Sequence, residues 1–327
     1  MILVTGGAGF IGSNLVAALS ARGAEVVVVD WLRQDERWRN LARHEVADLV
    51  LPEALPAWLA RHGAGLEAVV HMGANSSTTE ADVDLIVQQN IRATLDLLAW
   101  CTASARRFIY ASSAATYGDG SAGFDDDAAP AALARLLPLN AYGWSKHLVD
   151  RRIAQLRQRG AALPPQCVGL KFFNVYGPNE YHKGSMQSVV ARNFAAVQRG
   201  EPLRLFRSQR PDYADGGQLR DFIYVADCVE VILWLLENPQ VSGLFNVGTG
   251  VARSWLDLAR AVFAATGQPE AIEFIDMPAT LAAKYQYYTQ AQVARLRQAG
   301  YARPFTTLEA GIADYVHGYL GRSEPYR

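Results

Sequence analysis

The chain has 327 residues, half of them hydrophobic and 19% charged, with a formal net charge of −1, which suits a globular protein large enough for a nucleotide domain and a second lobe. Its 31 basic and 32 acidic residues nearly balance, so there is no electrostatic reason to expect nucleic acid or an anionic membrane as partner, and a small molecule is expected instead. Cys101, Cys167 and Cys228 lack CxxC spacing and read as buried free thiols, and neither a signal-like start nor a run of membrane-spanning length interrupts the expectation of a cytoplasmic protein.

In chain order, the apolar runs ILVT, AEVVVVD, LEAVVHMG, RRFIYASS and CVGLKFFNVYG read as strands of a parallel sheet buried on both faces. Between them, Ile11 to Arg22, Glu80 to Cys101 and Tyr142 to Arg159 are long enough for right-handed crossover helices. The fold class is α/β, a doubly wound parallel sheet of Rossmann type. After Gly177 longer loops such as RSQRPDYADGGQLRD mix with helices expected at about 187–199, 254–266 and 306–320, the texture of a smaller, discontinuous α/β substrate lobe. RDFIYVADCVEVILWLLEN and GLFNVGTG look like a returning helix and strand. The expected division is therefore 1–173 plus about 219–252 for the nucleotide domain and about 174–218 plus 253–327 for the lobe.

VTGGAGFIGSNLV places Gly6, Gly7, Gly9 and Gly12 between the first strand and the first helix. One glycine makes the tight turn, one lets backbone N–H groups approach a pyrophosphate, and the last lets the helix pack closely with its N-terminus facing the anion. Asp30 follows 18 residues after Gly12, where an acid can accept hydrogen bonds from an adenosine ribose. Asp30 favours NAD, whereas Arg33, Arg37 and Arg39 behind it could pair with the 2′-phosphate of NADP. The residues alone leave that choice open.

NAYGWSK puts Tyr142 and Lys146 four apart, on one helix face where both reach one site. A phenol titrating near 10 needs help to act as a base, and an adjacent ammonium with a cationic nicotinamide is expected to lower its pKa. Ser112 and Ser113 end the strand in YASSAATYG, and one of these hydroxyls can bond the same substrate oxygen.

Together these motifs resemble the extended short-chain dehydrogenase/reductase superfamily of nucleotide-sugar enzymes. MILVTGGAGFIGSN, GANSSTTE, FFNVYGP followed by HKGSM, FNVGTG, KYQYYTQA and AGYARPF resemble, more narrowly, the ADP-L-glycero-D-manno-heptose 6-epimerase family, nearly end to end. The resemblance implies NADP-dependent (NAD possible) oxidation and re-reduction at C6 of an ADP-heptose, in the making of the lipopolysaccharide inner core. It implies Tyr142 and Lys183 as two acid/bases, with Lys146 and Ser113 assisting. For the cofactor it implies Gly6, Gly9, Phe10, Ile11, Gly12, Asp30, Trp31, Arg37, Met72, Gly73, Ala74, Asn75, Ser76, Asn90, Lys146, Val175 and Lys183. For the substrate it implies Asn174, Ser185, Arg192, Phe206, Arg220 and Tyr285, Arg220 meeting the pyrophosphate. A homo-oligomer, pentamers among them, is implied as well.

The chain departs from the family pattern at Trp31, where an Asn is familiar, at Pro52 for Lys, at Asn75 for Cys and at Arg192 for His. The first two touch cofactor choice and Arg192 touches the sugar or nucleotide accepted. A UDP-hexose 4-epimerase type of enzyme is the alternative, and a non-catalytic NADP-binding protein the remoter one. Taken alone, Lys183 would be a solvated loop lysine.

Overall fold

The computed structural model describes residues 1–278 and 285–327; Lys284, which opens the motif KYQYYTQA, lies outside the described residues. Seven parallel strands build the main sheet: β1 (Ile2–Thr5), β2 (Val26–Val29), β3 (Asp48–Val50), β4 (Ala68–His71), β5 (Arg107–Ser113), β6 (Cys167–Phe172) and β10 (Gly243–Val247). Their order is β10-β6-β5-β4-β1-β2-β3. β1 lies between β2 and β4, so the chain winds one way from β1 and then crosses back to β4. Such a reversal leaves a crevice at the carboxyl ends of the strands, the place where ligands bind in open α/β sheets.

Every residue of β1, β2 and β4 is buried, because helices cover both faces. Alternate side chains go to opposite layers. Ile2, Val4, Val26 and Val28 pack with Leu15, Val16 and Leu19 of α1 (Phe10–Ser20) and with α8 (Val225–Glu237). Leu3, Val27, Val29 and Val69 pack with α2 (Leu55–His62), α4 (Ala93–Ala103) and α6 (Ala141–Gln158). All three cysteines are buried and unbridged.

The helix expected from Glu80 to Cys101 is composite: α3 (Val83–Ile86), a π-helical stretch Val87–Arg92 and α4. β3 was not among the expected strands; two of its three residues are exposed, so it lacks the apolar run that reveals a buried strand. A short helix, α5 (Pro130–Leu133), precedes α6.

A second core joins α7 (Val189–Gln198), α9 (Trp255–Thr266) and α11 (Leu308–Tyr315) to the parallel pair β8 (Leu203–Phe206) and β12 (Ile272–Ile275). A small helix, α10 (Ala294–Gln298), precedes α11. Of the segment expected to return to the nucleotide domain, α8 packs on the main sheet and β10 pairs with β6. β9 (Leu219–Tyr224) instead forms a separate sheet between β7 (Asn174–Tyr176) and β11 (Ala252–Ser254). No helix among the described residues is long and apolar enough to cross a membrane.

Candidate active site

A cleft of about 1850 Å³ opens along the carboxyl ends of the main sheet and extends to the second core. Its floor is the turn between β1 and α1. Gly6 has φ +64°, and a Cβ there would strike the backbone of Gly73, so only glycine lets the ends of β1 and β4 meet this closely. Gly9 caps α1 without a side-chain bond, which leaves the first N–H groups of the helix free to meet an anion. Gly12, Phe10 and Ile11 line the same wall.

Asp30 ends β2 and is 8% exposed. Its carboxylate accepts the Ala8 N–H at 3.0 Å and the Trp31 N–H at 2.8 Å; burial raises its pKa, opposed by those bonds and by Arg37. Arg37 is held by Asp35 through a two-point contact, 2.8 and 2.7 Å, and lies 3.9 Å from Asp30. Trp31 donates its indole N–H to Glu53 at 2.6 Å, and the Arg33 guanidinium lies 5.7 Å from the Trp31 ring. Trp31, Arg33, Arg37 and Pro52 all face the cleft. A mouth of backbone N–H groups, a buried carboxylate directly after β2 and flanking arginines fit a dinucleotide laid across the N-terminus of α1.

Met72, Gly73, Ala74, Asn75 and Ser76 line the middle of the cleft. Behind them runs a buried hydrogen-bond chain. The Gly73 N–H donates to Thr5 Oγ1 at 3.1 Å, which pairs with His71 Nδ1 at 2.6 Å; His71 Nε2 meets Thr94 Oγ1 at 2.9 Å, and that hydroxyl donates to the Asn90 carbonyl. Since the Thr94 proton is spent on Asn90, the imidazole carries its hydrogen on Nε2 and accepts at Nδ1. The Asn90 amide accepts the Asn75 N–H at 2.8 Å and donates to the Asn75 carbonyl at 2.9 Å and to Ser145 Oγ at 3.0 Å. Asn90 is fully buried and does not line the cleft; from the π-helical stretch it braces the wall. Ser145 in turn donates to the Tyr142 carbonyl at 2.7 Å.

Asn140 caps α6 by accepting the Gly143 N–H at 2.8 Å. A Cβ on Gly143 would lie 2.7 Å from the Ala115 carbonyl, so glycine lets α6 close on the segment after β5. Tyr142 and Lys146 both reach the cleft. Burial pushes the Tyr142 phenol up, and the Ser113 hydroxyl opposes the rise; among protein groups it is this hydroxyl, not the expected Lys146 ammonium, that lowers it. Burial pulls Lys146 down to about 8, with Asp150 opposing. Ser112, almost fully buried, spends its hydroxyl on Asp150 at 2.7 Å, which separates the two serines.

Asp150 is unexposed and also receives Tyr110 at 3.0 Å and the ammonium of Lys171 at 2.7 Å. Lys171 donates to Thr116 at 2.6 Å and sits 4.9 Å from the Tyr117 ring centroid. Sequence reasoning did not single out this buried pair. A signal existed: the chain has only four lysines against 27 arginines.

Lys183 lies in the 3-10 segment Tyr181–Met186, lines the cleft, and holds its ammonium 4.8 Å from the centroid of the Phe10 ring. Burial lowers its pKa and Glu180 opposes. Asn174, Val175, Ser185, Arg192, Phe206 and Tyr285 also face the cleft. Tyr285 accepts the Trp255 indole N–H at 2.9 Å and meets Phe206 edge-on at 6.4 Å. Arg220 is not in the lining. The residue is 6% exposed; its guanidinium donates to the Leu219 carbonyl at 2.8 Å and to the Gln286 carbonyl, and lies 4.9 Å from the Tyr285 ring centroid. Among the described residues no group of three or more His, Cys, Asp or Glu could hold a metal ion.

A parallel sheet with a switch point, a glycine turn at a helix N-terminus and a Ser-Tyr-Lys set facing a second lobe define a Rossmann-type nucleotide enzyme. A family model described as the NAD dependent epimerase/dehydratase family matches residues 2–248. ADP-L-glycero-D-manno-heptose-6-epimerase of Nitratidesulfovibrio vulgaris is 51% identical, with all of both chains covered. The enzyme of that name from Fusobacterium nucleatum subsp. nucleatum is 42% identical, again over all of both chains. The crystal structure of the Helicobacter pylori ADP-L-glycero-D-manno-heptose-6-epimerase, 29% identical, superposes with a TM-score of 0.79 over 96% of this chain and 94% of that one. The chain belongs to the ADP-L-glycero-D-manno-heptose-6-epimerase family.

Proposed function

We propose that the protein is an isomerase that inverts C6 of the heptose in ADP-D-glycero-β-D-manno-heptose, giving ADP-L-glycero-β-D-manno-heptose through a transient 6-keto sugar. The observation that carries this reading is that two groups able to move protons, Tyr142 from α6 and Lys183 from a different segment, enter one cleft beside Lys146 and Ser113. Inversion at a carbinol carbon creates two positions for the oxygen, and each calls for its own proton partner.

With its pyrophosphate held at the N-terminus of α1, an oxidised nicotinamide would take the carbinol hydrogen with its two electrons as hydride and give the same hydride back to the other face of the ketone, and its positive charge would favour ionisation of a neighbouring phenol. Tyr142, with the Ser113 hydroxyl nearby, takes the C6 hydroxyl proton in one geometry, and Lys183 serves the oxygen in the other. C6 is exocyclic, so rotation about its bond to the ring turns the opposite face without moving the nucleotide. Lys146 holds the nicotinamide ribose. Asn174, Ser185, Arg192 and Phe206 hold the substrate directly, whereas Arg220 acts by backing Tyr285.

The cofactor on this reading is NADP, with Asp30 at the adenosine ribose and Arg33 and Arg37 offering charge to a 2′-phosphate; titrating the protein with NADP+ and with NAD+ tests the choice. On this reading the nucleotide domain comprises 1–173 plus about 219–252 and the substrate lobe the remainder, except that β9 pairs with β7 and β11 and so goes with the small sheet. The reading carries with it a cytoplasmic homo-oligomer. Incubation with ADP-D-glycero-β-D-manno-heptose, followed by NMR at C6, is the test. Inversion lost by about 10²-fold or more in both Tyr142→Phe and Lys183→Met is expected. No inversion by the cofactor-loaded parent protein would sink the reading.

A further inference from the structure

We propose that Glu180 is the positioning residue for Lys183: its buried carboxylate clasps the two ends of the segment that carries the lysine and gives that segment a compensating negative charge. The proposal rests on the reading of Lys183 as a proton-moving group.

The segment leaves β7 at Gly177 and re-enters regular structure at Ser188, the N-cap of α7. Gly184, at φ +53°, breaks its 3-10 turn immediately after Lys183, and Gly184, Ser185 and Met186 are exposed. A stretch with so little buried surface has little of its own to hold an ammonium in place. Glu180, by contrast, is 0% exposed. One carboxylate oxygen accepts the Ser188 N–H at 2.6 Å; the other accepts the Ser188 hydroxyl at 2.6 Å, the Gly177 N–H at 3.4 Å and the Tyr315 hydroxyl of α11 at 3.2 Å. The Glu180 carbonyl also accepts the Lys183 N–H at 3.0 Å.

One side chain thus joins the first and last residues of the segment and ties both to α11. A carboxylate is buried at a cost unless donors satisfy it and a cation offsets its charge. Four donors supply the first condition, and the nearby ammonium of Lys183 supplies the second. The other titratable groups around it are Tyr181 and Tyr315, with His182 beside Lys183 facing Asp35 and Arg37. A purely structural carboxylate would serve α7 just as well without influencing the lysine, so the test must read the lysine itself.

With only four lysines in the chain, selective 13Cε labelling of the full protein gives a spectrum that single Lys→Arg substitutions assign. In Glu180→Gln the Lys183 signal should titrate at lower pH than in the parent. On ADP-D-glycero-β-D-manno-heptose, kcat should fall by about 10²-fold, the scale of a small misplacement, with KM moved less than about threefold. Ser188→Ala with Tyr315→Phe strips donors but keeps the charge; it should lower kcat and leave the titration in place. An unchanged Lys183 titration in Glu180→Gln overturns the proposal, and so does full activity with unchanged kcat. Should that variant not fold, full kcat in the donor-stripped double variant overturns it instead. If Lys183→Met keeps full activity, the catalytic reading fails separately, and the titration alone decides whether Glu180 governs the ammonium.

Discussion

Lys146 meets two opposing demands, since it must carry a charge to hold ribose hydroxyls, yet it is 3% exposed. Burial wins part of the contest and brings it to about 8, with Asp150 four residues on as the opposing charge. The ammonium is therefore lost as pH rises through about 8, and kcat/KM should fall on that limb. In Asp150→Asn the limb should move to lower pH, because the group that favours the ammonium is gone. A basic limb in the same place in both proteins would show that Lys146 does not set it. That Lys146 and Lys183 reach the cleft was legible in the sequence because each stands in a recognisable motif. Lys171 was not, because LKFF reads as a strand and a strand's alternation says nothing of what a buried ammonium finds across the sheet. The scarcity of lysine was the cue: where arginine is the default surface cation, a lysine kept in the interior marks a place for a compact point charge.

At the scale of elements, α6 is positioned from three directions: by its Asn140 cap, by the close approach at Gly143, and by the Asp150–Lys171 pair that ties it to β6. Both partners of the pair are at 0% side-chain exposure. Removing one leaves a buried charge without its partner, so Lys171→Met or Asp150→Asn should each cost about 3–5 kcal/mol in urea unfolding. The double variant should cost clearly less than the two together. Additive losses would mean that the pair is not coupled and that Thr116, Tyr110 and Ser112 suffice. The helices and the central strands were readable from apolar period and run length, since burial on both faces makes those segments uniformly apolar. The π-helical stretch was not. It places Asn90 beneath Asn75 and beside Ser145, contacts that close only when β4 and α6 are already together. Arg220 illustrates the same limit at the site: its residue type suits a pyrophosphate, but the neighbouring Leu219 carbonyl, together with the Gln286 carbonyl and the Tyr285 ring from far along the chain, claims the guanidinium.

Across the whole molecule, the crossing from β3 back to β4 creates the crevice, and the polar chain through His71 stitches its two sides together. Burial of ionisable groups throughout the chain then makes stability depend on pH in two opposite senses. Burial pushes His71 down to about 3 and His147 and His182 down to about 4. Such histidines stay neutral in the fold while the unfolded chain takes up protons near 6.5. The stability they confer is complete above about pH 6.5 and is lost as pH falls toward 4 and below. The buried carboxylates act the other way. Burial lifts Asp126 to about 6 and raises Asp30, Glu180 and Asp221. Their contribution is fully present below the unfolded value and is lost as pH rises through the folded one, so acid relieves them while it burdens the histidines. The parent protein's curve is thus a difference of large terms, and a comparison with one histidine removed isolates a single term, because the carboxylates are common to both proteins. In His71→Asn the hydrogen bonds to Thr5 and Thr94 are damaged, and stability at pH 7.5 should fall. Between pH 7.5 and 4.5, however, the variant should lose about 2–3 kcal/mol less than the parent, the cost of keeping one imidazole neutral two units below its unfolded pKa. Urea unfolding at the two pH values, with m unchanged, measures this directly. An equal loss in both proteins would mean that His71 takes up its proton in the folded state, and the hydrogen-bond chain drawn through its Nδ1 could not then exist below neutrality.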